Sequence, residues 1–203
     1  WGAMNATALK EAQATGFPRD KMYGVWWAGT EPTVRDIGEG AKGFHALSLS
    51  GHGTDSKVVQ DVLKTVHGTN QGTGPKDEVG TVLHVHGMIV QMLAIEAVRT
   101  AQEKFGKGKV MTGEQVRWGM ENLKLDQKRI DQLGFTGLMQ PMTVTCENHM
   151  GSASARVHTW DGKKWNYSSD WYQADAKVLN PLVKADGDKY LADRKLARRA
   201  DCN

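Results

Sequence analysis

Scarcities set the first bounds on this chain. Cysteine occurs only twice in 203 residues, at Cys146 and Cys202. Two cysteines cannot build the dense disulfide framework of a small secreted domain. They fit either free thiols in a reducing compartment or one bridge in an oxidising one. A bridge would close a loop of more than fifty residues, contributing roughly 4 kcal/mol on the chain-entropy estimate. The apolar runs read as too short to span a bilayer. Neither sign of charge dominates, since the net charge is only +3, and the one basic cluster, "DRKLARRAD" (193–201), reads as a solvated helix face rather than a nucleic-acid or membrane patch. The chain opens at Trp1 with no secretory signal and no initiator Met, as expected of a processed or truncated product.

What is present describes an ordinary water-soluble globular chain, 39% hydrophobic and 24% charged, long enough for one large domain or two small ones. Helix formers over 4–15, with Ala8, Leu9 and Ala12 at helical spacing and Gly16 beyond, predict a helix. "KMYGVWW" (21–27) is short and aromatic and predicts a strand. Pro32 opens a second helix to about Lys42, with Glu31 at its N-cap, and "GFHALSLS" predicts another strand. Helix, strand, helix, strand within fifty residues predicts an α/β layer with a mostly parallel sheet.

Further along, Val58, Val59, Val62, Leu63 and Val66 share one helical face. The next segment, 81–105, is the longest helical candidate, with a stripe of Val82, Val85, Met88, Ile89, Met92, Ile95 and Phe105 expected to pack against a sheet. Thr112 and Gln115 form a capping box, and "DQKRIDQLG" predicts a short helix. After Pro141 the texture turns to strands, "MTVT", "SARVHTW" and "KWNYSSDW", with a turn at Asp161-Gly162. The tail is helical at best.

Sites for chemistry are few. The Gly-rich loop before Val79 lacks the Gly-Lys-Ser/Thr ending of a phosphate loop. His84 and His86 could share a metal on a strand, but on a helix residues two apart diverge. Cys146 and His149 lack a completing pair. Ser48 and Ser50 near His52 do not sit in a nucleophile elbow. A metal-dependent or hydrolase-like enzyme using His84/His86 or Cys146/His149 is therefore the minority alternative; no catalytic residue, cofactor or metal is expected. Trp26, Trp27, Thr30 and Glu31 differ, because they lie where a strand hands over to a helix, the end of an α/β sheet at which ligands bind. Aromatic walls bury an apolar ligand body, and a carboxylate can pair with an ammonium.

Segments in order, "WGAMNATALKEAQATGFPRDKMYGVWWAGTEPTV", "GAKGFHAL", "VLHVHGMIVQMLAIEAVRTAQEKFG", "GEQVRWGMENL" and "VTCENHMGSASARVHTWDGKKW", resemble the second half of periplasmic solute-binding proteins of the leucine/isoleucine/valine-binding family, the receptors of ABC importers. The resemblance implies an α/β, two-lobed type I flytrap, of which this chain supplies the C-terminal half. Residues 1–46 would belong to the C-terminal lobe, 47–150 to the N-terminal lobe, and 151–203 to the crossover strands, the return to the C-terminal lobe and the tail. It implies Glu31 as holder of a ligand ammonium, Trp26 and Trp27 just before it, and His84 and His86 facing the cleft. There "HVHG" departs from the relatives' "YNRG", which puts recognition of a ligand carboxylate at that point in doubt. The Cys146–Cys202 pair also matches similar proteins and implies a disulfide and a periplasmic address. The implied partners are a small amino acid or aromatic acid and the inner-membrane permease, with no nucleic acid. A ligand-sensing module of a receptor or regulator would share the architecture.

Overall fold

The computed structural model describes residues 2–199. Helix α1 (Ala3–Ala14) buries Leu9, and Arg19 braces its C-terminal half by donating to the carbonyls of Leu9 (3.0 Å) and Ala12 (2.6 Å). The expected strand over 21–27 contracts to β1 (Tyr23–Gly24), followed by a 3₁₀ turn over Trp26–Ala28. Close packing explains the turn: a Cβ at Gly24 would overlap Ala28 and Phe44, so the backbone here passes too near the core to carry a longer regular strand. The helix expected from Pro32 to Lys42 is only α2 (Glu31–Val34), with Thr30, not Glu31, at its N-cap, and a separate 3₁₀ turn at Gly38–Ala41.

Strand β2 (His45–Ser48) runs parallel to β1, but every other pairing in the main sheet is antiparallel. The sheet order is β1-β2-β5-β6, with β5 (Ser154–Trp160) and β6 (Trp165–Tyr167) joined through the Asp161-Gly162 turn and β7 (Tyr172–Gln173) on β5. The mostly parallel sheet is thus corrected for the described residues: β5 returns late in the chain and enters beside β2 in the opposite sense. A two-stranded sheet of β3 (Lys124–Leu125) and β4 (Met142–Thr143) lies apart.

Between these come α3 (Lys57–Val62), continued as a π-type turn to His67, α4 (Val82–Phe105), α5 (Gly113–Glu121) and α6 (Gln127–Gln132). The capping box at Thr112 and Gln115 is formed in both directions. Two cores result. One gathers Val59, Val85, Ile89, Met92, Leu125 and Ile130; the other gathers Leu9, Val34, Phe44, Ala46, Trp160 and Trp165. Val82, at the head of α4, belongs to the second core, while Val85, Ile89 and Met92 belong to the first, so α4 ties the two together. By length and composition α4 could cross a membrane, but Ala97 and Ala101 are buried, and at Gly119 a Cβ would overlap the Ala97 carbonyl, so α4 and α5 meet backbone to backbone.

The stripe on α4 is displaced from the expected one. Ile95 is exposed, and Glu96 beside it is buried, held by Arg129 through Nε (2.9 Å) and Nη2 (2.6 Å) and by Arg99 (2.9 Å). Burial opposes ionisation of Glu96, yet the guanidinium hydrogen bonds outweigh it and hold the carboxyl below the usual range. Helix α7 (Ala176–Arg194) is well formed but buries no residue. Cys202 lies outside the described residues, and with it the expected pairing to Cys146.

Candidate functional site

The rings of Trp26 and Trp27 stack on each other, centroids 3.7 Å apart, instead of pointing to opposite faces as they would on a strand. The 3₁₀ turn brings both to one side, fixed by Ala28 N–H donating to the Val25 carbonyl (2.8 Å) and Gly29 N–H to that of Trp26 (3.2 Å). His86, from the first turns of α4, lies 5.2 Å from the Trp26 ring. Trp26 and His86, with Ser48, Ser50 and Val82, line a small cleft where the C-terminal end of β2 meets the N-terminal end of α4. Both serines are buried, and Ser48 Oγ donates to the Ser50 carbonyl (2.5 Å) rather than to a histidine.

The other expected residues are placed as follows. Glu31 sits at the Val82 edge of the cleft, its two oxygens accepting the Val82 N–H at 3.1 and 3.3 Å. It thus serves one of the N–H groups that the start of α4 leaves without a partner inside the helix. Burial raises its pKa, against the lowering pull of those backbone bonds and of Arg35. Thr30 is buried and pairs with Thr33 through their hydroxyls (3.3 Å). His84 turns away from His86: its Nδ1 accepts the Gly80 N–H (3.4 Å), and its ring borders a second, larger apolar groove along α4 with Leu83, Met88 and Ile95. Burial, then His67, lowers its pKa. His149 faces Glu121 (3.5 Å). Among the described residues no three His, Cys, Asp or Glu side chains come together to hold a metal ion.

A cluster beside the cleft was not singled out from sequence. Register places Ser48 opposite Arg156 and Ala46 opposite His158, so these side chains share one face of the sheet. His158 is fully buried, stacked on Trp165 (4.1 Å), with Nδ1 3.1 Å from Nε2 of His52. Tyr167 clasps the loop at His52, accepting its N–H (2.7 Å) and donating to its carbonyl (3.1 Å). Burial, then Arg156, pushes His52 down to about 4; burial, then His52 and Arg156, pushes His158 down to about 3. The alternation in "SARVHTW" was the available signal, since it sets Arg156, His158 and Trp160 on one side of β5.

The model of the periplasmic binding protein family matches residues 1–164. Among solved structures, an ABC transporter permease from the Pseudomonas fluorescens group is 35% identical with a TM-score of 0.91; the match covers all of this chain and 49% of that one. A branched-chain amino acid ABC transporter protein from Thermus thermophilus with bound valine is 21% identical, TM-score 0.65, over 86% of this chain and 45% of that one. A solute-binding protein of an ABC transporter from Rhodopseudomonas palustris HaA2, in complex with p-hydroxybenzoic acid, is 16% identical, TM-score 0.53, over 84% and 41%. The last two show the fold alone. No curated protein matches the chain in sequence. The chain spans about half the length of the structures it matches, and its mixed α/β architecture is that of one half of a two-lobed binding protein. With a family model covering most of its length, the chain belongs to the periplasmic binding protein family.

Proposed function

We propose that the chain is part of the substrate-binding component of an ABC importer, and that it contributes Trp26, Trp27 and His86 to the wall of an interlobe cleft that takes a small amino acid or aromatic acid. The observation that carries this is the approach of Trp26 to His86 beside Ser48 and Ser50, which joins the end of a sheet strand to the start of the long helix. Stacked indoles offer an apolar wall, and the imidazole and serine oxygens offer polar anchors. In the lobe assignment we adopt, 1–46 belong to the C-terminal lobe, 47–150 to the N-terminal lobe and 151–203 to the return and tail, so the cleft lies at a crossover. Glu31 stands close enough to its edge to take an ammonium with the face not used by Val82, and Thr30, at the N-cap of α2, is tied to Thr33 behind it. His84 belongs to the neighbouring groove and contributes to the cleft only through α4.

Ligand chemistry is not required for such a role. Closure would remove the ligand from water, and the closed form would be favoured by contacts made only when both lobes engage. Delivery to an inner-membrane permease and a periplasmic location follow from the same reading. The valine and p-hydroxybenzoic acid seen in two similar structures define the ligands to try first. Titration of each, followed by tryptophan fluorescence, tests the proposal: saturable quenching should be lost in Trp26→Ala and weakened in His86→Ala. Saturable binding untouched by both substitutions would place the ligand elsewhere.

A further inference from the structure

One arginine and two histidines meet where the chain leaves β2 and along β5, and among the described residues no carboxylate pairs with them. Arg156 lies 3.3 Å above the Tyr167 ring and 4.4 Å from that of Trp171, which fix the plane of its guanidinium. It donates one hydrogen bond, from Nη2 to the Gly137 carbonyl (3.2 Å), and its buried Nε has no acceptor. His52 and His158 stand beside it, linked to each other, and the Nε2 of the fully buried His158 is also without a partner. Among the described residues none of the three forms an ion pair with a carboxylate. Asp55 acts electrostatically on Tyr167, while Arg156 itself feels no acid strongly enough to offset its burial.

A half-buried guanidinium without a counter-charge is costly, because its lost hydration is not replaced. Cation–π contact offsets part of that cost but leaves the donors of the fork unused. The fork matches a carboxylate, accepting two parallel hydrogen bonds. Ser48, across the strand from Arg156, also lines the cleft at Trp26, so the cationic corner and the aromatic wall flank one strand end.

We propose that Arg156, with His52 beside it, forms a carboxylate-binding corner at this crossover. It rests on the binding function above only for the identity of the occupant: the carboxylate is that of a bound small molecule or that of an acidic side chain from another polypeptide segment.

The test uses the full chain, its Arg156→Gln and Arg156→Lys variants, and two probes. In thermal unfolding, sodium acetate is compared with sodium chloride at equal ionic strength. Acetate should raise the midpoint of the wild type, raise that of Arg156→Lys less, and leave Arg156→Gln where chloride leaves it. In a fluorescence titration, p-hydroxybenzoate is compared with its neutral amide. If the ligand is the occupant, the acid should bind at least about tenfold more tightly than the amide, as a charge-assisted pair requires, and Arg156→Gln should erase the difference. Should Arg156→Gln fail to fold, Arg156→Lys carries the test, because an ammonium keeps the charge but lacks the bidentate fork. Acetate acting equally on wild type and Arg156→Gln, or equally on wild type and Arg156→Lys, overturns the corner. Acetate acting through Arg156 while neither p-hydroxybenzoate nor valine binds supports the corner with a side chain as occupant and counts against the binding function. Tight p-hydroxybenzoate binding indifferent to Arg156→Gln does the reverse.

Discussion

At the scale of residues, the chain spends its few strongly perturbed side chains near one strand end. His52 and His158 are neutral in the folded protein down to about pH 4 and 3, whereas in the unfolded chain each takes up a proton near pH 6.5. The unfolded state therefore binds more protons below that pH, and stability falls as pH is lowered from 6.5 towards 4. At pH 5 the two together should withdraw about 4 kcal/mol, read as a drop in the urea midpoint of which His158→Phe removes about half. Glu31 makes a second prediction. Its hydrogen bond to Val82 N–H is that of a helix cap, so Glu31→Ala should cost about 1 kcal/mol. If Glu31 also holds a ligand ammonium, the same change should weaken valine binding while leaving p-hydroxybenzoate binding unaffected, which isothermal titration distinguishes.

At the scale of elements, segments with a strong local code were legible, the strand β5 among them, and segments shaped by contacts far along the chain were not. α1, α4 and the Thr112 capping box follow from spacing and end signals that act within a few residues. The strand expected through Trp26 and Trp27 fails because Gly24, Gly29 and the core side chains Phe44 and His158 dictate the turn, and no local pattern reports on residues so far along the chain. The burial of Glu96 in place of Ile95 was invisible for the same reason: Arg129, on α6, decides it. Glu96→Gln should accordingly cost on the order of 3 kcal/mol, as expected when one partner of a buried ion pair is removed, measured by chemical unfolding. Gly119→Ala should cost about 1–3 kcal/mol, since its Cβ would press on the Ala97 backbone and part α4 from α5. For the site, the aromatic turn was found by its composition, and the Ser48, His52, Arg156 and His158 cluster was missed because only the β2–β5 register assembles it.

At the scale of the whole molecule, exposed apolar side chains gather on the outer face of α4 and on α7, which buries no residue. Val90 and Ile95 on α4 and Val178, Leu182 and Tyr190 on α7 are all exposed, and surface of this kind marks contacts with further protein. The chain studied alone should bind a hydrophobic dye and sediment as concentration-dependent oligomers. The most direct measurement of the central claim is the fluorescence titration of the chain with valine and p-hydroxybenzoate, repeated on Trp26→Ala and His86→Ala. Saturable quenching by one of them, lost in the first variant and weakened in the second, is the predicted result. Binding of either ligand that ignores both substitutions, or no saturable binding of any amino acid or aromatic acid tried, would contradict the account.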